Sequence, residues 1–335
     1  MTKEQKFKVL ITNPIVCHEA VEMLHNFAEV QIIKGLSPEE IVIEAARDVD
    51  AILARTVKIT KNVIVEAKNL KIISRHGVGV DGIDVKEATR RGIFVTNTPE
   101  ANAEAVSEFT LTLMLVFYKK ILDGFNMVRH GDWERDKLIQ RELFHKKLGI
   151  IGLGNIGSRI AKKAQAFEME TLGFDPYIPS KRGKEINVKL VEFDELLKQS
   201  DIVSLNLPLT PETKNLIGLK ELILMKKTAL LVNTSRGGIV NEEDLVKALK
   251  SKEIAGACLD TFCEEPLSKT SELLLLENVI FTPHVAAQTE EALVRVGVEA
   301  ADNIIRVLKG KIPNGIYNKK VLENNKLRRL YQDQS

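Results

Sequence analysis

Three short stretches carry the residue types needed to move a proton beside a bound anion: Asn233-Thr234-Ser235-Arg236-Gly237-Gly238, Asp260-Thr261-Phe262-Cys263-Glu264-Glu265-Pro266 and Thr282-Pro283-His284-Val285-Ala286-Ala287. A guanidinium such as Arg236 can grip a carboxylate in a two-bond fork and polarise the neighbouring carbonyl. An imidazole such as His284 can give a proton to a developing alkoxide and take it back in the opposite direction. A carboxylate at Glu265, bonded to the far ring nitrogen, would fix the tautomer and favour the imidazolium. Each residue alone has an ordinary structural reading, as a loop histidine, a surface arginine or a solvated turn. What unites them is position. Each stretch follows an apolar run that reads as a strand, and the carboxyl ends of strands are where open α/β sheets bind ligands.

A fourth stretch explains what such a site would work beside. Gly152-Leu153-Gly154-Asn155-Ile156-Gly157 follows an apolar strand and opens a helical pattern, so G-x-G-x-x-G stands in the context that gives it meaning. The first glycine allows the tight turn, the second lets a pyrophosphate approach the backbone, and the third lets the helix pack close to the strand. The helix start then offers unpaired amides and a partial positive charge to the phosphates. Asp175 lies 18 residues past Gly157 at the end of the next strand, where an acid hydrogen-bonds the adenosine ribose and disfavours a 2′-phosphate. NAD rather than NADP is therefore the expected cofactor, although Lys181, Arg182 and Lys184 nearby soften the discrimination.

The elements that must position these residues alternate from end to end as strand and helix, the signature of α/β layering. A first series of strands is expected at 8–12, 30–33, 50–54, 71–74 and 93–95, with Ser37-Pro38-Glu39-Glu40 opening one helix by a capping serine and a proline at the first helical position. A second series is expected at 148–151, 171–174, 202–205, 229–233, 256–259 and 279–281, six strands of a doubly wound nucleotide fold. Long helical stretches at 101–128 and 290–309 bracket the second series. The chain thus leaves a first domain (1–100 and 289–335), builds a second (101–288), and returns.

Composition narrows the partners. Of 335 residues, 44% are hydrophobic and 28% charged, enough for two buried cores. Lysine and arginine number 48 against 46 acids, so neither nucleic acid nor an anionic membrane is an expected partner. The small excess sits in residues 311–335, where Lys311, Lys319, Lys320, Lys326, Arg328 and Arg329 face only Glu323 and Asp333. Three scattered cysteines, Cys17, Cys258 and Cys263, form no disulfide framework and no C-x-x-C metal pair. The first residues lack the apolar core of a signal peptide, and a soluble, cytoplasmic protein without a metal is expected.

In order and spacing, the glycine motif, Asp175, Thr234 to Gly237, Asp260 to Pro266 and Pro283-His284 resemble the D-isomer-specific 2-hydroxyacid dehydrogenases over nearly the whole chain. The resemblance implies a discontinuous flavodoxin-like substrate domain and a Rossmann NAD domain. It makes Arg236, Glu265 and His284 the catalytic three, and Asp260 a contact of the nicotinamide carboxamide. The Asn155 and Ile156 amides would meet the pyrophosphate, and Pro208, Thr213, Thr234 and Ala286 would complete the cofactor contacts. Asn206 stands where the family often has a histidine beside the adenosine. The loop Gly77-Val78-Gly79-Val80-Asp81 would offer the Val78 and Gly79 amides to a substrate carboxylate. Arg55, Arg75 and Arg135 match arginines that bind the substrate phosphate in phosphoglycerate dehydrogenases, so a doubly anionic hydroxy acid, and with it serine biosynthesis, is implied. Glyoxylate or hydroxypyruvate reduction is the alternative, and an NADH-responsive corepressor-like binding protein a distant third. A short form without the regulatory domain of many phosphoglycerate dehydrogenases is expected, and with it no serine feedback through such a domain. A homodimer formed through the 101–128 region is implied too, with Arg135 able to serve a neighbouring subunit. His76 is expected to pack rather than touch substrate, and Cys263 to lie near the site.

Overall fold

The structure, a computed structural model, describes residues 6–323; Lys326, Arg328, Arg329 and Asp333 of the basic end lie outside the described residues. The chain divides into two compact units, one formed by the residues up to Asn102 together with those from Thr289, the other by Ala103–Gln288. The first begins with β1 (Phe7–Ile11), α1 (His18–His25), β2 (Ala28–Ile32), α2 (Glu39–Ala46), β3 (Ala51–Ala54), α3 (Lys61–Glu66), β4 (Ile72–Arg75), α4 (Val85–Arg90) and β5 (Phe94–Thr96). The second unit runs through α5 (Ala103–Tyr118), α6 (Ile121–Arg129), β6 (Lys147–Ile151), α7 (Asn155–Ala166), β7 (Glu170–Phe174), α8 (Ser180–Glu185) and β8 (Lys189–Leu190). It continues with α9 (Phe193–Gln199), β9 (Ile202–Leu205), α10 (Leu219–Leu224), β10 (Leu230–Asn233), α11 (Glu242–Lys250), β11 (Gly256–Leu259) and β12 (Val279–Phe281). The chain then returns to the first unit as α12 (Glu290–Leu308).

Both sheets are wholly parallel. The first has the order β2-β1-β3-β4-β5 and the second β12-β11-β10-β9-β6-β7-β8. Strands so placed are covered on both faces and read as continuous apolar runs, which is why they are visible in the sequence. Side chains alternate between faces. In the first sheet Val9, Ile11, Leu53 and Phe94 pack on Ala20 and Leu24 of α1 and on Ala300, Ala301 and Ile304 of α12. Leu10, Ile52 and Ile73 pack on Val42 of α2 and Ile64 of α3 from the other side. In the second sheet Val203, Leu205 and Leu231 face Leu196 of α9 and Leu245 of α11, while Ile150, Ile202 and Val232 face Met114 of α5 and Ile160 of α7.

Three details differ from expectation. The second sheet has a seventh strand, β8, whose two residues pair with Leu172 and Gly173 and are too few to show a period. The apolar stretch 101–128 is two helices, because Lys120 takes a left-handed backbone (φ 47°) between α5 and α6. Ser37 does not cap α2: its hydroxyl donates to the Lys34 carbonyl, and Pro38 stands at the cap, its carbonyl accepting from the Ile41 amide at 3.1 Å.

Candidate active site

In the second unit the strand ends deliver the three expected side chains to one place. β10, β11 and β12 are neighbours, with Asn233 level with Leu259 and Leu259 level with Phe281, so the segments that follow them leave the sheet side by side. A Cβ on Gly237 would run into the Phe262 backbone, so glycine lets the Arg236 turn lie against the segment that carries Glu265.

His284 Nδ1 lies 2.8 Å from Glu265 Oε2, and Glu265 Oε1 accepts from the Phe262 amide at 3.0 Å. Both oxygens of the carboxylate are therefore fixed, and the imidazole is oriented with its Nε2 turned away from the pair. Burial raises the Glu265 carboxyl, but the hydrogen bonds from His284 and the Phe262 amide, with the charges of His284 and Arg236, outweigh it and hold it below its ordinary value. Glu265 is an anion at neutral pH, as a partner for an imidazolium must be.

Two of the three, Arg236 and His284, lie in turns with a support that the sequence reading left without a role. Asn233, buried at the end of β10, donates from Nδ2 to the Arg236 carbonyl at 2.7 Å and accepts at Oδ1 from the Ser235 amide and hydroxyl. An asparagine two residues before a serine at a strand end is the signal that could have marked this turn. Thr282 donates to Asp260 Oδ1 at 2.6 Å. Thr234 pairs with Thr110 of α5 at 2.9 Å. Cys263 is exposed, but partial enclosure of its sulfur and the neighbouring Glu242 push the thiol up to about 11, so it stays protonated at neutral pH.

The glycine turn fits a dinucleotide. Gly152 has φ 88°, and a Cβ there would strike the Asn206 carbonyl; a Cβ on Gly157 would strike the Gly152 carbonyl; a Cβ on Gly154 would meet nothing within 4 Å. Two glycines are thus required by packing, and the middle one faces open space, as close approach of a pyrophosphate needs. The first amides of α7, including those of Asn155 and Ile156, have no intrahelical acceptor. Asp175 braces this turn as well as ending β7, accepting from the Leu153 amide at 2.9 Å and the Tyr177 amide at 3.0 Å. Asn206 Oδ1 is buried with no hydrogen-bond partner among the described residues. Thr213 donates to the Pro208 carbonyl at 2.7 Å and ties off the loop that carries both. Ala286 gives its amide to Asp260. Arg135 is exposed in a 3-10 turn after α6.

In the first unit the ends of β3 and β4 carry Arg55 and Arg75. The loop after β4 has its carbonyls tied down: Gly77 accepts from the Thr98 amide, Val78 from Asn97 Nδ2 at 2.7 Å and Gly79 from Arg75 Nε at 2.8 Å. The Val78 and Gly79 amides donate to nothing among the described residues. Arg75 also donates to the Ala54 and Arg55 carbonyls, so much of its guanidinium braces this loop. Arg55 donates to the Ile15 carbonyl, and burial pulls its guanidinium below its ordinary value. His76 is only 7% exposed, and its Nε2 has no partner among the described residues. Burial first, then the charges of Arg55 and Arg75, push it down to about 3. Thr98 and Asn102, which the sequence reading passed over, also hold buried oxygens without partners among the described residues.

A parallel doubly wound sheet and a glycine turn of this kind define a dinucleotide-binding fold, here with an imidazole–carboxylate pair beside an arginine. Residues 111–286 match the family described as "D-isomer specific 2-hydroxyacid dehydrogenase, NAD binding domain". The chain is 42% identical over 326 residues to a D-3-phosphoglycerate dehydrogenase of Methanocaldococcus jannaschii, a match covering 96% of this chain and 62% of that protein. It is 39% identical over 330 residues to a glyoxylate reductase of Thermococcus litoralis, covering 96% of this chain and 99% of that one. A D-lactate dehydrogenase from Aquifex aeolicus complexed with NAD and lactic acid superposes with TM-score 0.81 at 30% identity, covering 95% of this chain and 98% of that one. The chain belongs to the D-isomer specific 2-hydroxyacid dehydrogenase family. It spans 54% to 62% of the length of three phosphoglycerate dehydrogenases that it matches.

Proposed function

We propose that the protein is an NAD-dependent oxidoreductase that interconverts a D-2-hydroxy acid and its 2-keto acid, with D-3-phosphoglycerate as the first substrate to test. The observation that carries this is the 2.8 Å pair of His284 Nδ1 and Glu265 Oε2 at the end of β12, beside Arg236. NAD, when bound, supplies the two-electron partner of the reaction. Nδ1–H of His284 donates to the carboxylate, which leaves Nε2 to take the hydroxyl proton in oxidation and return it in reduction. Arg236 grips the substrate carboxylate and polarises the adjacent carbonyl. Gly152, Gly154, Gly157 and the α7 amides hold the pyrophosphate, and Asp175 the ribose.

Arg55 and the Val78 and Gly79 amides serve as anion ligands, with Arg75 bracing the loop. The loop's tied carbonyls and unengaged amides support this. A second reading, glyoxylate or hydroxypyruvate reduction, is favoured by the match along 99% of a glyoxylate reductase. Absorbance assays with 3-phosphoglycerate and NAD, and with hydroxypyruvate, glyoxylate and pyruvate against NADH and NADPH, decide between them. No change of NADH with any of these would refute the enzyme reading.

A homodimer is part of the proposal. Ile121, Leu122, Phe125 and Val128 give α6 an exposed apolar stripe, with no buried residue on the helix. Such a stripe suits a second copy of the chain, and sedimentation of Phe125→Asp against the parent protein tests it. Three free cysteines support a reducing, cytoplasmic setting.

A further inference from the structure

His284 is held in a backbone conformation that a residue with a Cβ does not choose. Its φ is 54°, in the left-handed region, and its amide donates to the Thr282 carbonyl at 3.0 Å across a tight turn. Such a turn persists only where its surroundings over-determine it. Besides the Glu265 bond to the ring, one side chain supplies most of that constraint. Asp260 accepts at Oδ1 from the Thr282 hydroxyl at 2.6 Å and the Val285 amide at 2.9 Å, and at Oδ2 from the Ala286 amide at 3.0 Å. These donors lie on both sides of His284. Asp260 is itself anchored on the end of β11 by its own amide, which donates to the Asn233 carbonyl at 2.9 Å. It has no accessible surface. Every bond that the structure gives its carboxylate runs to the histidine turn.

We propose that Asp260 is the positioning residue of His284: a buried carboxylate that clasps the 282–286 turn and sets where the imidazole stands relative to Glu265. The chemistry of the clasp suits an anion. Three donors converge on two oxygens, as amides converge on an anion in a backbone nest. An asparagine cannot replace it, because its amide nitrogen would face an N–H donor and leave both unsatisfied. Thr282 supplies the one donor that can be changed without touching Asp260. The proposal rests on the dehydrogenase reading for its kinetic consequence, but the clasp itself is a property of the chain alone.

The test uses Asp260→Asn, Thr282→Val and Thr282→Ser, with two readouts. In the protein without cofactor, amide hydrogen exchange at Val285 and Ala286 is expected to accelerate on the order of 10-fold or more in Asp260→Asn and Thr282→Val, while the ladder amides of β9 and β10 keep their rates. Thr282→Ser, which retains the hydroxyl, is expected to exchange as the parent protein does. In turnover, kcat is expected to fall on the order of 10²-fold in Asp260→Asn and about 10-fold in Thr282→Val, because a small misplacement of a reacting group costs this much. In Thr282→Val, which leaves the Asp260 carboxylate in place, KM for NAD is expected to stay within about 2-fold, and Thr282→Ser to restore kcat. Parent-like exchange and kcat in Thr282→Val would overturn the clasp. So would a rise in KM for NAD at unchanged kcat in Asp260→Asn, which would place the carboxylate at the cofactor. If the parent protein turns over none of the test acids, the dehydrogenase reading fails, and the exchange pattern still decides the clasp.

Discussion

Lowering the pH from 7 to 5 is expected to remove about 2 kcal/mol of stability through His76 alone. The imidazole is buried against α12, where a Cβ on Gly297 would lie 3.7 Å from its Nε2, and it is flanked by the charges of Arg55 and Arg75. Burial and these charges hold it neutral in the fold, down to about 3 against an ordinary 6.5. In the unfolded chain the same ring gains a proton as the pH falls through its ordinary value. The contribution is therefore fully present above 6.5 and is lost progressively as pH falls toward 3. At 1.36 kcal/mol per unit, the difference in proton binding integrated from pH 7 to 5 comes to about 2 kcal/mol. Urea unfolding of the parent protein and of His76→Leu at both pH values isolates this term, since other titrating groups are common to the two. The parent is expected to lose about 2 kcal/mol more than the variant over the interval. Losses equal to within about 0.5 kcal/mol would show that His76 is protonated or solvated in the fold and would refute the reasoning.

The site predictions follow from named contacts. His284→Asn removes the group that exchanges the substrate proton and is expected to lower kcat on the order of 10² to 10⁴ at neutral pH in steady-state assays. Glu265 is an anion at neutral pH, so Glu265→Gln deprives the imidazolium of its partner; the pH profile for reduction is expected to move to lower pH, and an unmoved profile would count against the pair. Asp175→Ala loosens the glycine turn for both cofactors through the lost Leu153 bond, but is expected to raise KM for NAD more than KM for NADP. Arg55→Ala is expected to raise KM for 3-phosphoglycerate at least about 10-fold, with a smaller change for glyoxylate, if the guanidinium holds the second anionic group.

The strands were legible because parallel sheets bury both faces: Ile202–Leu205, Gly256–Leu259 and Val279–Phe281 coincide with their apolar runs. β8 was not, because two residues carry no period. The break at Lys120 was hidden for a related reason: the apolar pattern of α5 continues across it, and nothing in the residue type of a lysine announces a left-handed backbone. The residues of the candidate site could be named because strand ends put their polar groups in short, dense motifs. How they are held could not. The bonds from Thr282, Val285 and Ala286 to Asp260 span 22 to 26 residues and exist only because β11 and β12 pair in one register. Arg75 shows the same limit: its type suggests an anion ligand, and only the fold reveals how many carbonyls it already serves.

The return of α12 to the first unit imposes an order on biosynthesis. The face of the first sheet that carries Val9, Ile11, Leu53 and Phe94 has Ala300, Ala301 and Ile304 as part of its cover. On a ribosome that face stays partly bare while the 186 residues of Ala103–Gln288 are made, an interval of about 10 to 40 s at usual elongation rates. The interrupted unit begins first and finishes last, while the continuous one can close during the wait. A chain released with its end just before Thr289 would therefore leave the Val9, Ile11, Leu53 and Phe94 face half-dressed, the kind of surface that chaperones hold.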